Sequence, residues 1–402
     1  MLPEKFALAD RVLQIAPSPT LAVNAKAKAL RAAGADILNF SVGEPDMPTP
    51  AHVCEAGKKA IDDGHTRYTP VAGILEFREA VCAKLKKEQG WDYHPDQVQV
   101  SCGGKHGLYN IFQAILNPGD EVLIPAPYWV SYPPMVQLAG GTPVIVPLKE
   151  ANNFDFDPAT LAQYVTSKTK AIILNSPSNP TGAVYSHAAL AVIAQMAFDH
   201  GWLVVTDDMY EEISYTEGKI PHILHADLRL KDQTVLSNGV SKSFAMTGWR
   251  IGYSVGPIEV IKAMNKVQSQ STSNPAAPSQ YAALAALTGP QDFPRQLREA
   301  FLPRRAFFVR ELQAIAGVTC VTPMGAFYVF PNFSAYYGKT FGGKVIDGSV
   351  ALADYFLSEA KVATVPGAAF DADDFIRFSF ATSMEVIEKG MARIKQALAA
   401  LQ

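Results

Sequence analysis

Between about residue 97 and residue 255, short continuous runs of Val, Ile and Leu alternate with segments of helix length. AIIL at 171–174 and WLVV at 202–205 contain no polar interruption. A strand with one wet face alternates apolar and polar residues. A continuous apolar run instead suits a strand covered on both faces, as in a parallel sheet between helices. The runs predict strands at Gln97–Ser101, Glu121–Pro125, Pro143–Pro147, Ala171–Asn175, Trp202–Thr206, Thr234–Ser237 and Arg250–Val255, with helical patterns such as Ala188–His200 between them. The fold class is therefore α/β, with a mostly parallel sheet between helices.

A chain of 402 residues exceeds the size at which one core usually stops growing, so two domains are expected. Ser271–Gln280 reads as a loop followed by a helix through Leu287, and Gly289–Pro294 as a second break. A long helix then runs to about Ile315. Apolar segments at Gly325–Phe330, Val362–Val365 and Phe375–Phe380, and an amphipathic ending at Glu385–Leu401, suggest a smaller α+β domain. The division expected is a large domain over 47–295 and a small one built from 1–46 and 296–402.

The bulk chemistry excludes several classes. Net charge is −3, from 35 basic and 38 acidic residues, which speaks against nucleic acid or an anionic membrane as partner. No apolar run approaches the roughly 18 residues of a membrane span. Glu4, Asp10 and Arg11 interrupt the N-terminal apolar residues, unlike a secretory signal. Cys54, Cys82, Cys102 and Cys320 form no CxxC pair and are irregularly spaced. Disulfides and a metal centre are both poor readings, and a cytoplasmic protein is expected.

In open α/β sheets ligands bind beyond the carboxyl ends of the strands. Gly103-Gly104-Lys105 follows the first predicted strand, Tyr128-Trp129 the second, and Asn175 through Asn179-Pro180-Thr181-Gly182 the fourth. Asp207-Asp208-Met209-Tyr210 follows the fifth and Ser241-Lys242 the sixth, while Arg250 opens the last. This collection suits pyridoxal 5′-phosphate (PLP). That cofactor needs a lysine amine, a carboxylate at its ring nitrogen, donors near its phenolate oxygen and an aromatic face. It also needs a phosphate cup of backbone N–H groups at a helix N-terminus, with a guanidinium beside it.

The segments NSPSNPTG, TDDMY and SKSFAMTGWRIGY resemble the signature blocks of class I aminotransferases. VGEPD, YTPVAG, SCGGKHGLYNIFQAILNPGDEV, PYWVSYP, GAFYVF and RFSFATS extend the resemblance over nearly the whole chain, and it is greatest to the bacterial aspartate and aspartate/prephenate aminotransferase subgroup. The resemblance implies fold type I of the PLP-dependent transferases and a homodimer with active sites shared across the interface. It implies that Lys242 carries the cofactor as a Schiff base and moves the substrate's α-proton. Asp207 would hold the ring nitrogen, Tyr210 and Asn179 the phenolate oxygen, and Trp129 the ring face. Gly103, Gly104, Lys105, Ser241 and Arg250 would serve the phosphate, with Tyr68 reaching the phosphate of the neighbouring subunit. Arg377, with Gly43, Asn179 and Trp129, would bind the substrate α-carboxylate region, and Lys105 with the segment Pro17–Thr20 a distal carboxylate.

Plainer readings stand beside these roles. Asp207 alone suits a turn, and Asp208 competes with it. Tyr128 competes with Trp129. Ser241 is equally readable as structural, Tyr68 as a core residue, and Lys105 as a surface lysine. Arg377 sits in the apolar run FIRFSF and needs a partner, either a ligand carboxylate or an internal Asp or Glu. Gly239 stands where many relatives carry a phosphate-binding hydroxyl.

The expected reaction is ping-pong transamination, with L-aspartate as donor and 2-oxoglutarate as acceptor. The alternatives are an aminotransferase for prephenate or aromatic amino acids, and a β-lyase on the same cofactor. A ligand-sensing domain of a transcription regulator lacks its DNA-binding module here. A nicotinamide dehydrogenase lacks its G-x-G-x-x-G turn.

Overall fold

The computed structural model describes residues 7–17 and 19–402. Its main sheet has seven strands: β1 (Val98–Ser101), β2 (Glu121–Ala126), β3 (Thr142–Pro147), β4 (Thr169–Asn175), β5 (Leu203–Asp207), β6 (Thr234–Gly239) and β7 (Gly252–Val255). Their spatial order is β1-β7-β6-β5-β4-β2-β3. From β6 to β3 each neighbouring pair is parallel, whereas β7 runs antiparallel to both β6 and β1. An antiparallel neighbour needs no crossover helix, so the chain passes from β6 to β7 through a compact segment that carries Ser241 and Lys242.

The continuous apolar runs lie where strands are covered on both faces. Ala171–Asn175 of β4 and all of β6 are buried. Between β4 and β5 runs the helix His187–His200. It starts where the Ser186 side chain accepts from Ala189 N–H, and it ends at Gly201, whose φ of 67° is left-handed. The segment Ser271–Gln280 is not all loop, because a helix begins at Ala277 with Pro278 in its first turn. Proline lacks an N–H that the first turn cannot use anyway, so it starts this helix rather than preventing it. The helix Asp292–Gln313 likewise opens inside the expected break and continues through Pro303.

A second apolar cluster joins residues far apart in sequence. Leu38 and Phe40 pack with Phe301, Phe308, Phe327, Phe378 and Ile394. It surrounds an antiparallel sheet in which Ile376–Ser379 lies between Tyr328–Val329 and Val365–Pro366. Leu38–Asn39 pairs in parallel with Val362–Ala363, and Ser379 N–H donates to Phe40 C=O at 2.8 Å. The N-terminal segment through Gly43 is thus held against the strand that carries Arg377. No helix among the described residues is long and apolar enough to cross a membrane.

Candidate active site

The carboxyl ends of the parallel strands meet the second cluster at a cavity of about 400 Å³. From the main sheet it is lined by Gly104, Lys105, Asn179, Asp207, Ser241, Lys242 and Arg250, together with Trp129 and Tyr210. Gly43, Tyr328 and Arg377 close it from the other side.

One end is an anion cup. The helix Gly104–Ile115 starts at Gly103, with no side chain capping it. Its first-turn amides have no intrahelical acceptor, and the helix dipole favours negative charge there. Arg250 bends over this turn, donating to Thr247 C=O at 2.8 Å and to Cys102 C=O at 3.4 Å. The approach leaves no room for side chains. A Cβ at Gly103, whose φ is +86°, would sit 2.3 Å from Arg250 Nη2, and one at Gly252 would sit 2.3 Å from Gly104 N. Gly252 pairs with Gly239 across β7 and β6, so the position where relatives carry a hydroxyl is here part of the same close packing.

Asp207 closes β5. Its Oδ2 accepts from Tyr132 Oη at 2.6 Å and its Oδ1 from Met209 N–H at 3.3 Å. Burial raises the Asp207 carboxyl to about 6, opposed by the Tyr132 hydrogen bond, helped by Asp208, and opposed again by Met209 N–H and Lys242. Asp208 faces elsewhere, with its Oδ2 accepting from Thr206 Oγ1 at 2.6 Å. The turn after Asp207 is anchored by Glu211 and Glu212, which pair with Lys84 at 2.7 and 3.2 Å.

Lys242 Nζ donates to Gly43 C=O at 2.5 Å. Burial pulls its ammonium down to about 8; Glu44 opposes this, Arg250 and Arg377 assist it, and Asp207 opposes it. A lysine in this state reaches its nucleophilic neutral form more readily than one in water.

Arg377 is 3% exposed. Its Nη1 donates to Asn179 Oδ1 at 2.9 Å and its Nη2 to Ser41 C=O at 2.8 Å, while Nε is buried without an acceptor. The guanidinium lies over the rings of Tyr328 and Phe370, at 4.6 and 5.1 Å from their centroids. No carboxylate among the described residues pairs with it. Burial lowers its pKa, with Tyr328 and Tyr210 opposing. Tyr210 and Tyr328 share a hydroxyl–hydroxyl bond of 2.8 Å.

Trp129 lines this cavity, whereas Tyr128 lines an adjoining one. Lys105 Nζ sits 4.9 Å from the centroid of Trp129, its pKa lowered by burial and by Arg250. Ser241 is buried on the wall. Of the N-terminal segment, Thr20 lines the cavity and Pro17 and Pro19 the adjoining one, while Ser18 lies outside the described residues. Tyr68 does not reach the cavity of its own chain. It is 90% exposed, which removes the reading of it as a core residue.

A sheet of this order, with a lysine, a carboxylate and an anion cup at its strand ends, defines fold type I of the PLP-dependent enzymes. Residues 35–394 match the family model "Aminotransferase class I and II". The chain is 48% identical over 387 residues to an aspartate aminotransferase of Geobacillus stearothermophilus, covering 96% of this chain and 98% of that one. It is 48% identical over 396 residues to an aspartate/prephenate aminotransferase of Cereibacter sphaeroides, covering 98% and 99%. Among solved structures, the aspartate aminotransferase of Rhizobium meliloti superposes with a TM-score of 0.95 at 41% identity, covering 99% of this chain and 100% of that one. The Thermus thermophilus aspartate aminotransferase with maleate gives 0.91 at 43%, covering 98% and 100%. The chain belongs to the class I and II aminotransferase family.

Sequence reasoning missed several wall residues. Asn175 donates to Asp207 C=O at 2.9 Å and accepts from Asn179 N–H at 2.8 Å, fixing the turn between them. Tyr132 and Tyr328 lay inside the quoted PYWVSYP and GAFYVF blocks, but nothing in the spacing says where their hydroxyls point.

The Lys242 environment has a direct test. In cofactor-free protein, trinitrophenylation mapped to Lys242 should rise with pH around a midpoint of about 8, against roughly 10.4 for a free lysine. A midpoint at the free-lysine value would contradict the burial derived above.

Proposed function

We propose that this enzyme transfers the amino group of L-aspartate to 2-oxoglutarate on PLP bound at the cavity, giving oxaloacetate and L-glutamate. The observation that carries the reading is the convergence of buried Asp207 and Arg377 and half-buried Lys242 on one cavity. The residues fit the group: an uncapped helix N-terminus beside Arg250 suits its phosphate, and a buried carboxylate suits its ring nitrogen. When bound, PLP supplies an electron sink for the charge left at the substrate α-carbon.

The chain's own residues do the remaining work. Lys242 would hold the cofactor through Nζ, and the same nitrogen would take the substrate's α-proton. Asp207 keeps the ring nitrogen protonated. Tyr210 and Asn179 donate towards the phenolate oxygen, and Trp129 covers the ring. Gly103, Gly104, Lys105 and Ser241 serve the phosphate with Arg250. Arg377 offers a planar fork and a free Nε to the α-carboxylate beside Gly43 and Asn179. Lys105 and Thr20 face the distal carboxylate. The relative solved with maleate held a four-carbon dicarboxylate, the size class of aspartate and oxaloacetate. The prephenate alternative rests on the aspartate/prephenate relative at 48% identity.

We further propose two domains, 47–295 and 1–46 with 296–402, and a homodimer in which Tyr68 of the partner subunit reaches the phosphate. A large aromatic side chain that is 90% exposed supports the second point. The apolar clusters around the main and the small sheet support the first.

Three outcomes are expected. L-aspartate added without acceptor should convert the visible absorption of the bound cofactor and yield oxaloacetate without ammonia, and Lys242→Ala should abolish this while folding normally. Release of ammonia instead would mark a lyase. Lys105→Ala should lower kcat/KM for aspartate about tenfold or more, which is about 1.4 kcal/mol, with little change for alanine; an unchanged preference would remove Lys105 from the distal contact. Lys242→Ala and Tyr68→Ala variants, each poorly active, should recover activity when co-expressed, because one hybrid site then has both residues. No recovery would count against a shared site.

A further inference from the structure

Asp207 holds a proton equilibrium that the rest of the cavity does not set in its favour. Burial drives its carboxyl upward, and the adjacent Asp208 adds to the push. Lys242 opposes only weakly, and Tyr210 faces Tyr328 rather than Asp207. Arg250 and Arg377 are engaged by the carbonyls of Thr247, Cys102 and Ser41 and by the Asn179 amide oxygen. Met209 N–H bonds one oxygen at 3.3 Å, a long contact. The other oxygen receives the Tyr132 hydroxyl at 2.6 Å. Tyr132 is 2% exposed and Asp207 7%, so water does not compete for this bond.

The donor is well held. Tyr132 opens the helix Tyr132–Leu138, and its ring meets Trp129 edge-on at 5.3 Å between centroids. Burial and the neighbouring Asp207 charge both keep its phenol protonated far above neutral pH. It is therefore a donor at every working pH, and it stabilises the ionised carboxylate more than the protonated one.

We propose that Tyr132 is a positioning residue whose hydrogen bond keeps Asp207 an ionised acceptor, so that a heterocyclic nitrogen bound against Asp207 retains its proton. The proposal rests on the cofactor reading above and adds to it a wall residue that acts through Asp207. The same hydroxyl ties the stretch carrying the ring-facing Trp129 to the end of β5, so that placement of the aromatic and charge on the carboxylate depend on one bond.

The test is PLP binding to the cofactor-free protein across pH 5 to 9, read by fluorescence or calorimetry rather than turnover. In wild type, affinity should fall on acidification as Asp207 takes up a proton. In Tyr132→Phe the Asp207 carboxyl rises further, so the midpoint of that fall should move to higher pH by about one unit, a size usual for loss of one such bond. Placing 3-fluorotyrosine at 132, a stronger donor of nearly the same shape, should move it to lower pH and needs no change of fold. In an Asp207→Asn background, Tyr132→Phe should cause no midpoint shift. Uniformly weaker binding with an unmoved midpoint in both Tyr132 variants would assign Tyr132 a packing role only and overturn the proposal. Absence of PLP binding by wild type would overturn the cofactor reading instead, and the proposal with it.

Discussion

Parallel strands covered on both faces can expose polar groups only at their ends, and the site follows from that constraint. Residues along β4, β5 and β6 are largely apolar, with small buried polar exceptions such as Thr206 and Ser237, so the charged groups gather at the strand ends. The register makes the ends coincide. Asn175 pairs with Asp207, and Asp207 pairs with Ser237, so three adjacent strands finish at one level. The turns that follow then carry Asn179, Tyr210 and Lys242 to a common cavity. β7 departs from the parallel order, and its departure is also local to the site. Its close pairing through Gly252 brings the backbone of β7 against the start of the helix at Gly104.

The cavity concentrates charges that burial disfavours. The Lys242 ammonium is held down to about 8 and the Asp207 carboxyl up to about 6, each by removal from water. Arg377 keeps its charge but finds neutral acceptors, and its Nε has none. A core built for stability alone would replace such groups with apolar ones. Their retention, beside an uncapped helix N-terminus, is the mark of a site completed by an anionic ligand. Two supports outside the cavity keep it in shape. Lys84 ties down the turn that follows Asp207, and the N-terminal segment through Gly43 is pinned to the strand of Arg377.

Much of this was legible in sequence because it is written locally. AIIL and WLVV announce covered strands, and the polar residue after each run marks its carboxyl end. Lys242, Asp207 and Arg250 could be placed from that rule and from the family blocks together. What stayed hidden depends on contacts between distant residues. The Tyr132–Asp207 bond spans 75 positions and the Tyr210–Tyr328 bond 118, and no periodicity encodes either. Local rules also misled twice, where Pro278 was read as loop and Asp292–Pro294 as part of a break, and both stretches instead start helices. Tyr68 shows another limit: nothing in its local pattern separated a core tyrosine from the 90% exposed side chain that the fold presents.

On the proposed reading, the choice of substrate turns on the side-chain charge of Lys105, whose part in the phosphate cup is its backbone N–H. In the proposed site Arg377 would answer an α-carboxylate, and the cup at Gly104 with Arg250 a phosphate. Lys105 remains. It begins a helix, where the dipole disfavours positive charge, and Arg250 repels it further. No carboxylate among the described residues pairs with it, and its visible partner is the face of Trp129. The residue is exposed, and it also lines the cavity wall. A ligand with one carboxylate leaves that charge uncompensated, and a ligand with a second, distal carboxylate relieves it. On that reading the site would favour a dicarboxylic amino acid over alanine. That preference is consistent with relatives named for aspartate alone and for aspartate with prephenate.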